Sequence, residues 1–461
     1  MSVEIVSPAN GKAFKTVQLS NSQNALEAVE RSHVAFKTWK TTSLAERKAI
    51  LTKFIDNFVA NKEDIAIELT WLIGRPRKQN LNEVRGFEER GRHLIEIAES
   101  SLQDHVPNAK PGFRRFVKRE PLGVVFVIAA WNYPYLISVN SVVPALLAGN
   151  TVILKQAPQT FPCADQFLRA FQGTGLPENV FQVLHIDHQV AEKLIRNPLV
   201  SHVQFTGSVA GGSQVNKIAA DRFVTVGLEL GGNDAAYVRQ DADAANAAEN
   251  LVDGAFYNSG QSCCGIQRVY VHHSLYDSFV ESAVTISKGY VLGDPFDDKV
   301  SLGPVINAAS AASIRKAIAS SVSKGAKPLI DENLFPFSKK DSAYIAPQIL
   351  VDVTPNMEIV SEEVFGPVFC VIKVSSDKEA IDLINNSKYG LTASIWTKDE
   401  VAALSIGEQL ETGTVFLNRC DYLDPALPWV GVKDSGRGCS LSKYGFDALT
   451  RPKSFHLRLA S

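Results

Sequence analysis

The chain has 461 residues, more than one ordinary core accommodates, so two or three domains are expected. Apolar residues make up 45% and charged residues 21%, as in soluble globular proteins. The 47 Lys and Arg against 49 Asp and Glu leave a formal net charge of −2, which gives no electrostatic reason to expect nucleic acid or an anionic membrane as partner.

The opening residues, Met1 to Lys12, have no basic region followed by an apolar run, and the last residues carry no address tripeptide. The apolar stretches, about ten residues at most, are too short to span a bilayer. The expectation is a cytoplasmic protein.

In chain order, the first third reads mainly helical. Ser43-Leu44-Ala45-Glu46 fits a capping box, and Ile50, Leu51, Phe54, Ile55 and Phe58 behind it mark one buried helical face of plain scaffold. From about residue 122 the texture changes. Gly123 to Ala130, Thr151 to Leu154, Val180 to Leu184 and Val203 to Thr206 are short apolar runs separated by helical lengths and Gly or Asn turns. That pattern predicts a parallel sheet buried on both faces, a doubly wound α/β domain suited to nucleotides at the carboxyl ends of its strands.

A second alternation follows Glu229. Ala235 to Val238, Arg268 to Val271, Val368 to Ile372 and Gly413 to Leu417 read as strands, with helical segments such as Ser274 to Lys288 between them. Two pieces, 103–121 and 448–461, fit neither core and are expected to form an accessory sheet. The six cysteines (Cys163, Cys263, Cys264, Cys370, Cys420 and Cys439) are scattered without CxxC spacing. Neither a zinc site nor a disulfide framework is expected, and no metal-ligand set appears.

Six constellations could carry chemistry, and each has a bland alternative. Cys263, after Gly260-Gln261-Ser262, sits in a turn where backbone amides favour a thiolate, although most loop cysteines are inert. Glu229, between Leu228 and Leu230, is a carboxylate at the end of an apolar run. Burial there would raise its pKa toward that of a general base, unless it turns to solvent or pairs with an arginine. Asn132 follows the strand ending near Ala130 and offers either a neutral oxyanion donor or a helix cap. Phe205-Thr206-Gly207-Ser208, with Gly211 and Gly212, runs from a strand into a turn and helix that present amides to a phosphate, though it is not a full GxGxxG. Lys155 ends a buried strand where it would meet an adenosine ribose or phosphate. Glu362-Glu363 precede the turn Phe365-Gly366-Pro367.

Taken together, these segments resemble the aldehyde dehydrogenase superfamily. The matches run in family order: Trp131-Asn132, Lys155, Phe205 to Ser208, Leu228 to Gly232, Gly260 to Cys263, Glu362 to Pro367, and Lys433 to Gly438. The separation of 34 positions from Glu229 to Cys263 is also the family's spacing. The resemblance spans about residues 5 to 458.

It implies an α/β fold with a Rossmann-like cofactor-binding domain over 1–102 and 122–228, and a catalytic domain over 229–434. A small β oligomerisation element over 103–121 and 435–461 would make a homodimer or homotetramer. It also implies roles. Cys263 attacks the aldehyde as thiolate, the Asn132 side chain and the Cys263 amide hold the oxyanion, and Glu229 activates water to cleave the thioester. Lys155 contacts the adenosine ribose, Gly207 and Ser208 lie under the pyrophosphate, Glu363 binds the nicotinamide ribose, and Trp131, Leu230 and Phe365 lie beside the cofactor. Cys264, one position too late, is a bystander that oxidation could link to Cys263.

Three departures matter. Pro158 stands where the family commonly has a ribose-binding glutamate; it can neither make that contact nor repel a 2′-phosphate. NAD and NADP both stay open, with NAD slightly preferred. Trp429-Val430-Gly431 replaces the usual Phe-Gly-Gly. The N-terminus starts late and is read as lacking a strand ahead of the first helices. For the substrate, Tyr133, Tyr257 and Trp429, with Tyr135 nearby, suggest an aromatic-lined funnel for an aromatic or medium aliphatic aldehyde, unless they are ordinary packing. Arg419 points instead to a semialdehyde carboxylate, or simply to solvent. A CoA-acylating relative and a non-catalytic protein retaining the fold are the alternatives. Glu229 argues against the first, and the full catalytic set against the second.

Overall fold

A computed structural model describes residues 1–459. Two sheets dominate it. The first has six strands in the order Gly436–Arg437, Thr225–Glu229, Val200–Thr206, Val124–Ala129, Thr151–Gln156 and Phe181–Val183. All neighbours are parallel except the first pair. Val124–Ala129 and Thr151–Gln156 are buried at every position; the first is accordingly apolar throughout, and the second carries the apolar run Val152-Ile153-Leu154 before its polar end Lys155-Gln156. The chain leaves Val124–Ala129 in one direction to Thr151–Gln156 and later returns on its other side to Val200–Thr206. The carboxyl end of Val124–Ala129 is therefore a topological switch point, where open α/β sheets bind ligands.

Only four residues separate Glu229, the last residue of the first sheet's strand, from Asp234, the first of the second sheet. That sheet has the order Lys327–Pro328, Gln348–Val351, Val368–Val374, Ile266–His272, Asp234–Val238, Thr392–Trp396 and Thr414–Leu417. It is parallel apart from the antiparallel edge Lys327–Pro328. The crossing segment Glu229 to Asp234 joins the two sheets and forms the seam between them.

Of the N-terminal helices, Ser22–Trp39 packs on the first sheet, while Leu44–Ala60, Lys62–Ile73 and Arg77–Leu102 pack on one another and on the helix Pro134–Ala148. Ser43 caps the second of them by accepting from the Glu46 amide at 3.2 Å, as the capping signature predicts. One expectation is corrected. A strand does precede the helices: Ser2–Val6 and Ala13–Gln18 pair antiparallel and bury Ile5 and Val17. Its alternation was hidden because nearly every other side chain of this hairpin is polar or exposed.

Phe113–Pro121 pairs with Thr450–Arg458 along nine residues as a separate antiparallel ribbon. The residues before it behave differently from the rest of the C-terminal segment. Gly436–Arg437 joins the first sheet, and the helix Ser442–Ala448 packs against Arg77–Leu102. No helix among the described residues is long and apolar enough to cross a membrane.

Candidate active site

The loop that carries Cys263 is shaped by backbone conformation. After the helix Ala244–Phe256, Asn258 and Ser259 are left-handed with φ of 52° and 56°, and Gly260 follows at 70°. A side chain on Gly260 would strike the Gly366 carbonyl, so glycine is required there on two counts. Gln261 is buried and pinned: its Oε1 accepts from the Ile306 amide at 2.7 Å and its Nε2 donates to the Asn258 carbonyl at 3.0 Å. Cys263 emerges from this frame half-buried.

Asn132 lies just beyond the strand Val124–Ala129. Its Nδ2 donates to the Gln261 carbonyl at 3.2 Å, which ties it to the cysteine loop and leaves its second N–H free. Its own carbonyl accepts from Arg75 Nη1 at 3.3 Å and Asn258 Nδ2 at 3.2 Å. Arg75 forms a buried ion pair with Glu83. The other Glu83 oxygen accepts from the amides of Tyr135 at 2.8 Å and Leu136 at 3.3 Å. Those amides open the helix Pro134–Ala148, which has no side-chain cap of its own. Glu83 therefore caps a buried helix start and orients Arg75, and Arg75 holds Asn132.

Glu229 ends its strand at the seam. One oxygen accepts from Thr206 Oγ1 at 3.3 Å, while Oε1 is buried without a partner. Burial raises its pKa above the ordinary carboxylate value. Glu363 sits over Gly231-Gly232, accepts from the Gly232 amide at 3.2 Å, and is pushed by burial up to about 7. Gly232 also faces the cysteine loop, and a side chain there would collide with the Cys263 carbonyl.

The remaining cofactor candidates lie at strand ends and helix starts of the first sheet and at the turn around Phe365. Ser208 caps the helix Val209–Ala219 by accepting from the Gly211 amide at 3.1 Å, and the Phe205 ring lies directly under Gly207 and Gly211. Lys155 is buried, donates to the Gln156 carbonyl at 3.3 Å, lies over the Phe161 ring at 5.7 Å, and has its amine pulled down by burial to about 8. Trp131 and Phe365 meet edge to face at 5.5 Å. The Leu230 side chain fills the space above Gly212. Pro158 begins a short 3-10 turn, Pro158–Thr160, and offers no polar side chain. A helix start with open amides, a buried lysine lacking an acidic partner and a carboxyl group at glycines fit a dinucleotide.

A cavity of about 640 Å³ opens onto Cys263. Asn132, Glu229, Tyr133, Tyr257, Arg419 and Trp429 all reach its wall. Tyr135 does not: it is fully buried against Phe58 and Phe167, so its expected place near the funnel is corrected. The helix Pro134–Ala148 turns Tyr135 into the core and Tyr133 toward the cavity. Arg419 is exposed and stacks on Tyr422 at 3.5 Å. Cys264 is buried and donates to Asp421 Oδ1 at 3.0 Å, which also accepts from Ser262 Oγ at 3.1 Å. The adjoining Cys263 thiol, burial and Asp421 push the Cys264 thiol well up.

Residues 1–455 match the family model described as the aldehyde dehydrogenase family. The chain belongs to the aldehyde dehydrogenase family. The enzyme is 33% identical over 448 residues to an aldehyde dehydrogenase of Paenarthrobacter nicotinovorans, covering 96% of this chain and 97% of the relative. It is 31% identical to the NADP-dependent succinate-semialdehyde dehydrogenase of Mycobacterium avium, covering 98% and 96%. Among solved structures it superposes on an NADP-dependent glyceraldehyde-3-phosphate dehydrogenase of Bacillus halodurans with a TM-score of 0.94 at 33% identity, covering 100% and 96%. An NAD-dependent aldehyde dehydrogenase of Sinorhizobium meliloti gives 0.96 at 30% identity, covering 100% and 92%. The enzyme is accordingly an NAD(P)-dependent oxidoreductase of the aldehyde class.

Reading the enzyme's sequence did not single out Arg75, Glu83, Asn258 or Asp421. Glu83 alone left a trace: it sits on the apolar stripe with Val84, Phe87 and Leu94, where a charge is costly.

Proposed function

We propose that the enzyme oxidises an aldehyde to a carboxylic acid through a thiohemiacetal and then a thioester on Cys263. What carries the reading is the convergence of Cys263, Glu229 and Asn132 on one cavity wall. The Cys263 thiolate attacks the carbonyl carbon, forming the C–S bond and an oxyanion. The free N–H of Asn132 and the backbone amide of Cys263 are the donors for that oxyanion; both are neutral, so loss of hydride stays favourable. A nicotinamide held in the neighbouring cofactor site would supply the acceptor for that hydride, whose loss converts the adduct on Cys263 to the thioester. Glu229 then takes a proton from water, the water oxygen attacks the thioester, the C–S bond breaks and Cys263 leaves as thiolate. The partnerless Oε1 and the raised pKa of Glu229 suit a base that must accept and release a proton near neutrality.

Gly207, Ser208 and the start of Val209–Ala219 would hold the pyrophosphate, Lys155 the adenosine ribose, and Glu363 the nicotinamide ribose. Trp131, Leu230 and Phe365 would flank the cofactor. Pro158 leaves both NAD and NADP open, with NAD kept slightly ahead; a higher kcat/KM with NADP reverses that order. Tyr133, Tyr257 and Trp429 line a path for an aromatic or medium aliphatic aldehyde, and Arg419 marks its mouth for a semialdehyde. The ribbon Phe113–Pro121 with Thr450–Arg458 leaves strand edges that would seat further copies of the chain in a homodimer or homotetramer.

The test is reduction of NAD and NADP on a panel of aldehydes. Turnover without added CoA is expected; strict dependence on CoA overturns the hydrolytic step. Glu229→Gln should give a burst of reduced cofactor followed by slow turnover, and Cys263→Ala none while cofactor binding persists. Undiminished steady-state turnover in Glu229→Gln removes that residue from its role.

A further inference from the structure

One side chain in the cavity lacks the partner that its chemistry demands. Arg90 lies on the buried stripe of the helix Arg77–Leu102, between Phe87 and Leu94, and is only 8% exposed. Its Nη1 donates to the Leu136 carbonyl at 3.4 Å and Asn140 Oδ1 at 3.3 Å, both long for hydrogen bonds. Nε and Nη2 make no hydrogen bond, and no carboxylate lies within ion-pair distance, among the described residues. The other deeply buried arginines are engaged: Arg75 pairs with Glu83, and Arg268 donates through Nε and Nη2 to the Asn233 carbonyl at 3.0 and 2.8 Å.

The acidic groups whose charge acts on Arg90 are the Cys264 thiol, Glu83, Glu229, Glu89 and Asp421. Glu83 is taken by Arg75 and two helix amides, Glu89 accepts from Tyr422 at 2.8 Å, and Asp421 holds Cys264 and Ser262. Glu229 holds Thr206 through one oxygen, and its partnerless Oε1 makes no ion pair with Arg90. Burying a guanidinium without a counter-ion costs several kcal/mol, so such a group is kept where an anion arrives to meet it. Arg90 and Cys263 line the same cavity of about 640 Å³.

We propose that Arg90 is the anion anchor of the substrate pocket, and that the preferred substrate is a short aldehyde carrying a carboxylate at the end remote from its carbonyl. This rests on the reading of Cys263 as nucleophile. The guanidinium fork presents Nε and Nη2 to the carboxylate in the bidentate geometry that arginine favours. Leu136, Ile137 and Tyr133 provide the apolar wall for the methylene chain between the two ends. Arg419, exposed and stacked on Tyr422, sits at the mouth, where it steers anions rather than seating them.

The experiment compares kcat/KM for succinate semialdehyde with that for butanal, the neutral aldehyde of equal carbon number. The wild-type enzyme is expected to favour the anionic substrate. Arg90→Gln should lower the ratio of the two kcat/KM values by roughly 10- to 100-fold, the loss appearing in KM of the anionic substrate, and Arg90→Lys should recover part of it. An equal loss on both substrates, or a wild-type enzyme with no preference for the carboxylate, overturns the proposal. Turnover of neither substrate overturns instead the reading of Cys263, since butanal needs no anchor. Should the variants fail to fold, product inhibition of the wild type decides: succinate must inhibit at lower concentration than butyrate, and equal inhibition overturns the anchor.

Discussion

Replacing Glu83 by Gln tests the frame behind Asn132. The two amino acids have nearly the same shape, so the change removes charge rather than volume. The side chains of Arg75 and Glu83 are 0% and 1% exposed, so Arg75 would be left charged in the interior with no compensating carboxylate. Breaking one side of a buried pair costs about 3–5 kcal/mol. In domains of this size each kcal/mol moves the thermal midpoint by about 2–4 °C, so a drop on the order of 10 °C is expected in the cofactor-free enzyme. The two helix amides now capped by Glu83 would keep a neutral acceptor. Most of the loss should therefore come from Arg75, and Arg75→Met combined with Glu83→Gln, which keeps the acceptor for the two amides, should regain much of the stability. Activity would not return in the double variant, because Arg75 Nη1 no longer holds the Asn132 carbonyl. A displacement of Asn132 of about 1 Å should cost roughly 100-fold in kcat. Differential scanning fluorimetry and steady-state kinetics read the two effects. A Glu83→Gln enzyme that melts and turns over like the wild type refutes the account.

Two further outcomes follow from the seam between the sheets. Glu363 and Asp421 are each pushed up to about 7 by burial, so both hold a proton in the folded enzyme over a range where the unfolded chain has lost it. Their contribution to stability is full below about pH 4 and is lost as pH rises through about 7. The thermal midpoint of the cofactor-free enzyme should thus fall between about pH 5 and pH 8, and Glu363→Gln should flatten that slope; an unchanged slope refutes the assignment to Glu363. Gly232→Ala should push the Cys263 carbonyl away and lower kcat by roughly 100-fold, while the protein stays folded. An alanine variant with wild-type kcat would show that the loop tolerates the shift.

Much of the fold was legible because its central strands are buried on both faces. Val124–Ala129 and the run Val152-Ile153-Leu154 beside it are apolar without a break, and so they stood out. The N-terminal hairpin did not, because it buries little more than Ile5 and Val17 and leaves the rest of its pattern polar. Thr392–Trp396, a central strand of the second sheet, passed unread because its five residues include Thr and Ser, which bond inside the sheet. Tyr135 was misplaced for a related reason. Beside Tyr133 in sequence, it is carried by the first helical turn to the opposite side, and nothing in a dipeptide spacing reveals which way that turn faces.

By itself the sequence determined the chemical types and their order: a cysteine after a glycine turn, a glutamate ending an apolar run, an asparagine after a buried strand. These are local properties of burial and turn formation, and they persist in any fold that keeps those elements. Only the tertiary structure decided which groups meet. Asn132 reaches Gln261 across 129 residues, Gly232 meets Glu363 across 131, and Arg90 is brought into the same cavity as Cys263 from a helix near the N-terminus. Whether a buried charge finds its counter-ion is a property of packing between distant elements. That is why Arg75 and Arg90, alike in sequence, have opposite fates: one is paired within the protein, and the other is left open to the cavity.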